Sequence, residues 1–119
     1  MNRRVVITGV GLITPLGIGV EDTWSGICAG RSGIGEITRF DASAYSTKIA
    51  GEVKGFNAEE FVPKKEAKRL QPFIAYAMAA ARMAMEDSAL KIDAANEARV
   101  GVVTGCGLGG LNTLEEHTL

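Results

Sequence analysis

The sequence QPFIAYAMAAARMAMEDSA occupies residues 71–89 and predicts one long helix. Pro72 suits the first turn of a helix, where its missing N–H leaves no hydrogen bond unmade, and the alanines favour helix in the body. Apolar residues recur at three- and four-residue intervals: Leu70, Phe73, Ile74, Ala77, Met78, Ala81, Ala84 and Met85. Because no charge stands between Phe73 and Ala81, we expect this helix to be buried on most sides, between the layers of a larger fold.

Composition excludes several classes of protein. The 119 residues are 46% hydrophobic and 23% charged, and the net charge of -1 argues against a general attraction to nucleic acid or to an anionic membrane. Cys28 and Cys106 stand far apart without CxxC spacing, which favours reduced thiols in a cytoplasmic protein. Met1 to Arg4 lead into an apolar run typical of a strand, not of a signal peptide, so we predict no export.

Two runs share one design: arginine, a β-branched stretch, threonine and glycine. They are 4–9 and 99–105, and they predict two neighbouring buried parallel strands joined through helices. Residues 20–28 predict a helix with Gly30 just past its end, and we expect its apolar face, which carries Trp24 and Cys28, to be buried in the core. Shorter elements are predicted as follows: a tucked apolar loop at 12–19, an extended segment at 49–53, an Asn57-capped turn at 58–60 and a helical turn opened by Pro63.

The glycine-rich segment 105–110 has the G-x-G-x-x-G spacing of a dinucleotide site, with Gly105, Gly107 and Gly110 in the glycine positions. The acidic partner for the ribose would fall beyond Leu119, and the other interpretation is a packing turn. Cys106 within this segment could be a nucleophile. Since the only histidine, His117, follows about three helical turns later, we prefer a small buried cysteine.

One helical turn carries a compact positive charge. Lys65, Lys68 and Arg69 stand at positions i, i+3 and i+4, so their side chains share one face of the predicted turn. This face is either an ordinary solvated surface or a docking site for an acidic protein. No His, Cys, Asp or Glu cluster has the spacing of a metal site.

Several motifs together resemble the start of the β-ketoacyl-acyl carrier protein synthases. They are VVITGVGLITPLG at 5–17, GRSGI at 30–34, FDASAY at 40–45, TKIAGEVK at 47–54 and GCGLGG at 105–110. The segments at 40–54 are most similar to the type II bacterial condensing enzymes of fatty-acid elongation. The resemblance runs the whole length of the chain.

The resemblance implies a thiolase-like α/β fold in five layers, α/β/α/β/α, normally a cytoplasmic homodimer without metal or cofactor. Residues 1–119 would be an incomplete N-terminal portion of it, ending before the catalytic cysteine. The family reaction is a decarboxylative Claisen condensation, in which malonyl-acyl carrier protein extends an acyl-enzyme thioester to 3-oxoacyl-acyl carrier protein. The partner is the acidic, phosphopantetheinylated acyl carrier protein.

The resemblance also implies roles for four residues. Leu108 matches an apolar residue beside the acyl-chain pocket, and Lys65, Lys68 and Arg69 match the basic patch that docks the carrier protein. Cys106 stands where the family usually has serine, and His117 matches no catalytic histidine. We therefore expect no catalytic residue here and an inactive fragment.

Two alternatives stay open. One is a non-catalytic partner like a chain-length factor, and the other is a nucleotide-binding α/β module that uses the turn at 105–110. Because few strands are predicted, we also expect the isolated chain either to expose a large apolar face of the 71–89 helix or to bury it in an oligomer.

Overall fold

The structure, a computed structural model, describes residues 3–118, in which two pairs of short strands flank the first helix and only helices follow. In chain order the elements are β1 (Ile13–Thr14), β2 (Gly17–Ile18), α1 (Val20–Cys28), β3 (Gly35–Glu36), β4 (Ile49–Ala50), a 3₁₀ helix (Ala58–Glu60), α2 (Lys64–Ala67), α3 (Pro72–Ser88), a second 3₁₀ helix (Glu97–Arg99) and α4 (Leu111–Thr118). No helix within residues 3–118 has the length and apolar character needed to span a bilayer.

Helix α3 confirms the predicted long helix. It also packs against residues 9–11, which precede β1. Pro72 occupies its first turn, and Ala89 ends it in the left-handed conformation with φ of 52°. The backbone at Gly9 and Gly11 lies against the α3 backbone so closely that a Cβ atom on Gly11 would come within 1.9 Å of the Ala80 carbonyl oxygen. The Val10 N–H donates to the Asp87 carboxylate at 2.9 Å. The small residues of α3 therefore permit direct contact between the two backbones.

The N-terminal apolar loop is half-buried, as predicted, and it contains a hairpin that was not predicted. β1 and β2 pair antiparallel, with Ile13 opposite Ile18. Thr23 of α1 is buried and shares a hydrogen bond with the Thr14 hydroxyl at 3.0 Å, which holds α1 against the hairpin. Helix α1 ends as predicted: Gly30 is left-handed and donates to Ile27, while Arg31 donates to Gly26.

The segment between α1 and α2 has a second small sheet. β4 begins at Ile49, as the predicted extended segment does, and it pairs antiparallel with β3, whose residues were predicted as loop. The Glu52 carboxylate then accepts from the Thr38 N–H at 3.0 Å and the Thr38 hydroxyl at 2.6 Å. These donors lower the pKa of Glu52, because they stabilise its charged form. The same carboxylate accepts from the Arg39 N–H, so it closes the loop between the two strands.

The two predicted parallel strands are wrong for this chain. Residues 4–8 and 100–104 form no strand within the described part of the chain, and Arg99 ends a 3₁₀ helix. Val5 is 93% exposed and Val103 is 99% exposed. The physical reason is that a strand is stabilised by hydrogen bonds to a neighbouring strand, and neither segment has one in residues 3–118.

The expected burial of α3, and of Trp24 and Cys28 on α1, is also wrong for this chain. In α3 only Ala75 and Ala79 are buried, while Trp24 is 63% exposed and Cys28 is exposed. The radius of gyration is 17.6 Å, against roughly 13–14 Å for a compact domain of this length. The accessible area of 9884 Å² exceeds the roughly 6,200 Å² of a folded monomer of this mass. The apolar face of α3 is therefore exposed in the single chain, and its burial in an oligomer stays a prediction.

Candidate functional site

The cationic face, defined as Lys65, Lys68 and Arg69, lies on α2 and the two residues after it. Lys65 lies in α2, Lys68 follows its last residue with a helical backbone, and the Arg69 N–H donates to the Glu66 carbonyl at 2.8 Å, so the helical turn continues through the cationic face. All three residues are exposed. Among residues 3–118 none of them forms an ion pair, whereas the neighbouring Lys64 lies 3.5 Å from the Glu59 carboxylate. The cationic face is therefore open to an external anionic group.

The position of α2 depends on the 3₁₀ helix before it. Asn57 caps that 3₁₀ helix as predicted, because its side-chain oxygen accepts from the Glu59 N–H at 3.1 Å. Val62, between the two helices, is buried, and Pro63 opens α2. Arg82 of α3 donates from Nη1 to the Glu60 carbonyl at 3.1 Å. The 3₁₀ helix thus connects the cationic face to α3.

An aromatic cluster reinforces the same connection. Phe56 stacks on Phe61 with ring centroids 5.5 Å apart, and it meets the ring of Tyr76 edge-on at 4.9 Å. The Tyr76 hydroxyl accepts from Arg39 at 2.9 Å, and this hydrogen bond raises the pKa of the Arg39 guanidinium. Tyr76 of α3 therefore contacts both the segment before α2 and the loop between β3 and β4.

The glycine turn, residues 105–110, packs against the start of α3. A Cβ atom on Gly109 would come within 2.6 Å of the Cys106 Sγ and 2.8 Å of the Phe73 ring, so a larger residue here would force these side chains to move. Gly110 has φ of 78°, and α4 begins directly after it, as predicted, although the predicted last residue, Leu119, lies outside the described residues. Leu108 is 80% exposed at the tip of the turn. The turn thus presents one large apolar side chain outward.

A cavity of about 460 Å³ lies between α3 and the glycine turn. It is lined by Phe73, Ile74, Tyr76, Ala77, Thr104, Gly105, Cys106 and Gly107. The expectation of a buried Cys106 is wrong, because the residue is exposed where the preceding segment has no neighbouring strand. His117 lies on α4 and lines a different cavity, together with Gln71 and Thr113. The structure thus does not bring Cys106 and His117 into one site.

Metal ligands are not gathered anywhere in the part of the chain that the structure describes: residues 3–118 contain no group of three or more His, Cys, Asp or Glu side chains that could hold an ion. The dinucleotide interpretation of the glycine turn remains an untested alternative. Its usual context is a strand before the turn, whereas residues 102–104 form no strand and are exposed.

Comparisons with known proteins identify relatives along almost the whole chain. The family model described as "Beta-ketoacyl synthase, N-terminal domain" matches residues 2–119. The chain is 47% identical over 114 residues to 3-oxoacyl-[acyl-carrier-protein] synthase 2 of Vibrio cholerae, which covers 96% of this chain and 28% of that protein. It is 47% identical over 116 residues to the Synechocystis protein of the same name, with 98% and 28% covered.

A solved structure described as "The ishigamide ketosynthase/chain length factor" superposes with a TM-score of 0.66 at 41% identity. The match covers 76% of this chain and 23% of that one. The chain thus spans a little over a quarter of the length of these curated relatives, and the match covers a little under a quarter of the solved chain.

Proposed function

The chain belongs to the β-ketoacyl synthase family, with part of the N-terminal half of a thiolase-like α/β fold, and we propose that its full-length protein is a condensing enzyme of fatty-acid elongation. The observation that carries this proposal is the match of residues 2–119 to the family, together with identities near 47% to proteins named 3-oxoacyl-[acyl-carrier-protein] synthase 2. The full-length enzyme acts in the cytoplasm as a homodimer.

The proposed reaction has two steps. First, an acyl group passes from the phosphopantetheine thiol of a carrier protein to an enzyme cysteine, which forms a new thioester and releases the carrier thiol. Malonyl-carrier protein then loses CO₂, and its carbanion attacks the enzyme thioester. The cysteine thiolate leaves, and the product is a 3-oxoacyl-carrier protein longer by two carbons. Backbone N–H groups stabilise the oxyanion.

In this proposal residues 1–119 help to bind the acyl chain and the carrier protein, and they do not take part in the bond-forming steps. The nucleophilic cysteine and two histidines are expected elsewhere in the full-length protein, so residues 1–119 alone are inactive. Leu108 contacts the acyl chain, since an exposed leucine at the tip of the glycine turn is suited to form one wall of an apolar pocket.

The cationic face docks the acidic carrier protein. Its three exposed side chains have no ion pair within residues 3–118 to compete with the carrier's carboxylates. In a chain of net charge -1, such a local patch can still steer an acidic partner to one place on the surface. The Debye length is about 10 Å at 0.1 M salt, so this steering weakens as salt rises.

The test is a charge reversal in the full-length protein. We expect K65E/K68E/R69E to raise the KM for acyl-carrier protein roughly 10- to 100-fold at low salt, with a smaller effect at high salt. A matched control reverses three exposed lysines elsewhere, K48E/K54E/K91E, and changes the net charge equally. An unchanged KM in the first variant, or an equal rise in both, rejects docking at the cationic face.

A non-catalytic chain-length-factor-like partner is the second candidate, because the structural relative at 41% identity is described as a ketosynthase/chain length factor. The coding sequence after Leu119 separates the two candidates. A Thr-Ala-Cys segment followed by two histidines supports the condensing enzyme, and a replaced cysteine supports the non-catalytic partner.

A further inference from the structure

Helix α2 has too little packing of its own to fix the direction of the cationic face. It has four residues, and none of them is buried. Isolated helices of this length are unstable in water, so the geometry of α2 must be imposed by its neighbours. The neighbour in sequence is the 3₁₀ helix, which contacts both α2 and α3.

Arg82 is the polar contact from α3 to this 3₁₀ helix. Its Nη1 donates to the carbonyl oxygens of Glu60 at 3.1 Å and Phe61 at 3.4 Å, while its Nε lies 2.9 Å from the Glu86 carboxylate. The carbonyls at the end of a helix have no partner within that helix, and a cation there is favourable. Glu86, one turn further along α3, orients the guanidinium toward them.

We propose that Arg82 is a positioning residue for carrier-protein docking: it holds the end of the 3₁₀ helix, and through it the cationic face, at a fixed place beside α3. This inference rests on the proposed function of that face. Arginine suits the role because its planar group donates in two directions at once, to the carbonyls and to Glu86. A lysine ammonium lacks this fixed geometry.

The test compares R82A and R82K in the full-length protein with two substrates. For acyl-carrier protein we expect R82A to raise the KM roughly three- to tenfold with little change in kcat, and R82K to have an intermediate effect. For enzyme acylation by an acyl-N-acetylcysteamine thioester, which carries no protein, we expect unchanged kinetics in both variants. A merely structural role would lower activity with both substrates.

A double-mutant cycle makes the test sharper. If Arg82 acts through the cationic face, R82A added to K65E/K68E/R69E raises the KM no further, because the face it positions has already been lost. An additional rise as large as in the wild-type background overturns the proposal, as does an unchanged KM in R82A. If R82A does not fold, R82K and E86Q replace it in the test. R82K weakens the hydrogen bonds from Arg82 to the carbonyls, and E86Q weakens the ion pair that orients Arg82. An unchanged KM in both variants would refute the proposal.

The same experiment separates the two proposals. An unchanged KM in K65E/K68E/R69E rejects the docking function itself. A raised KM in that variant with an unchanged KM in R82A rejects only the positioning role.

Discussion

The substitution Gly11→Ala would test whether the contact between residues 9–11 and α3 stabilises the N-terminal part of the fold. In Gly11→Ala the new Cβ atom would lie 1.9 Å from the Ala80 carbonyl oxygen and 2.9 Å from the Ala84 nitrogen. Both are backbone atoms of α3, so no side-chain rotation can relieve the clash. Because real Cβ contacts hardly ever fall below 3.0 Å, the backbones must separate by about 1.1 Å.

Two costs follow from that separation. Overpacking of this kind destabilises proteins by about 1–3 kcal/mol. The adjacent hydrogen bond from Val10 to Asp87, 2.9 Å long, would be stretched beyond bonding distance, and its loss adds about 1 kcal/mol. We therefore expect Gly11→Ala to lower the free energy of unfolding by about 2–4 kcal/mol.

The assay is urea unfolding of the full-length protein, with the midpoint and slope compared between variants. Gly35→Ala is the matched control, because a Cβ atom on Gly35 has no neighbour within 4 Å among the described residues and its φ is not positive. We expect the control to stay within about 0.5 kcal/mol of the wild type. Equal stability of the two alanine variants would refute the close contact.

Two further predictions concern acid stability and self-association. Because hydrogen bonds lower the pKa of Glu52 below its ordinary value of 4.5, the stability they contribute is present above that value and is lost as the pH falls through the folded-state pKa. In urea unfolding of the full-length protein between about pH 6 and 3, E52Q should lose less stability than the wild type, and parallel pH curves would contradict this. The isolated 119-residue chain should self-associate with rising concentration in light scattering, since Phe73, Met78 and Met85 of α3 are exposed. A monodisperse monomer with a sharp two-state melt would contradict that expectation.

The elements predicted correctly are those whose signals are local. Pro72 and the apolar periodicity place α3 within one residue of its observed end, and Gly30 and Asn57 mark the ends of their helices through contacts a few residues away. β1, β2 and β3 were missed because each has two residues, too few for an alternating pattern to be recognised.

The predicted strands failed for a different reason. A β-branched run such as residues 5–7 indicates the surroundings in which a strand is stable, with neighbours on both edges and apolar cover on both faces. Sequence reasoning detects the pattern but does not supply the neighbours. We expect the rest of the full-length protein to supply them, and to cover the exposed side of α3 as well.

Sequence reasoning likewise found one part of the candidate site and missed another. The cationic face was predictable, because Lys65, Lys68 and Arg69 lie within five consecutive residues and a helical turn brings them together. Arg82 was missed, because its acceptors are backbone carbonyls 22 and 21 residues earlier in the chain. Every residue has a carbonyl, so no sequence pattern marks the two that Arg82 reaches.

Helix α3 is the element that both proposed binding regions share. Ala80, Ala84 and Ser88 recur every four residues and receive the glycine backbone at Gly9 and Gly11. Other positions of α3 hold the remaining parts: Arg82 and Tyr76 contact the segments around the cationic face, and Phe73 packs under the glycine turn that carries Leu108. Large side chains in place of the three small residues would prevent the contact with the backbone at Gly9 and Gly11. A polar side chain in place of Phe73 would weaken the packing under the glycine turn. The alternation of small and large apolar residues that makes α3 recognisable in the sequence is thus also what lets one helix position the proposed docking face and the glycine turn at once.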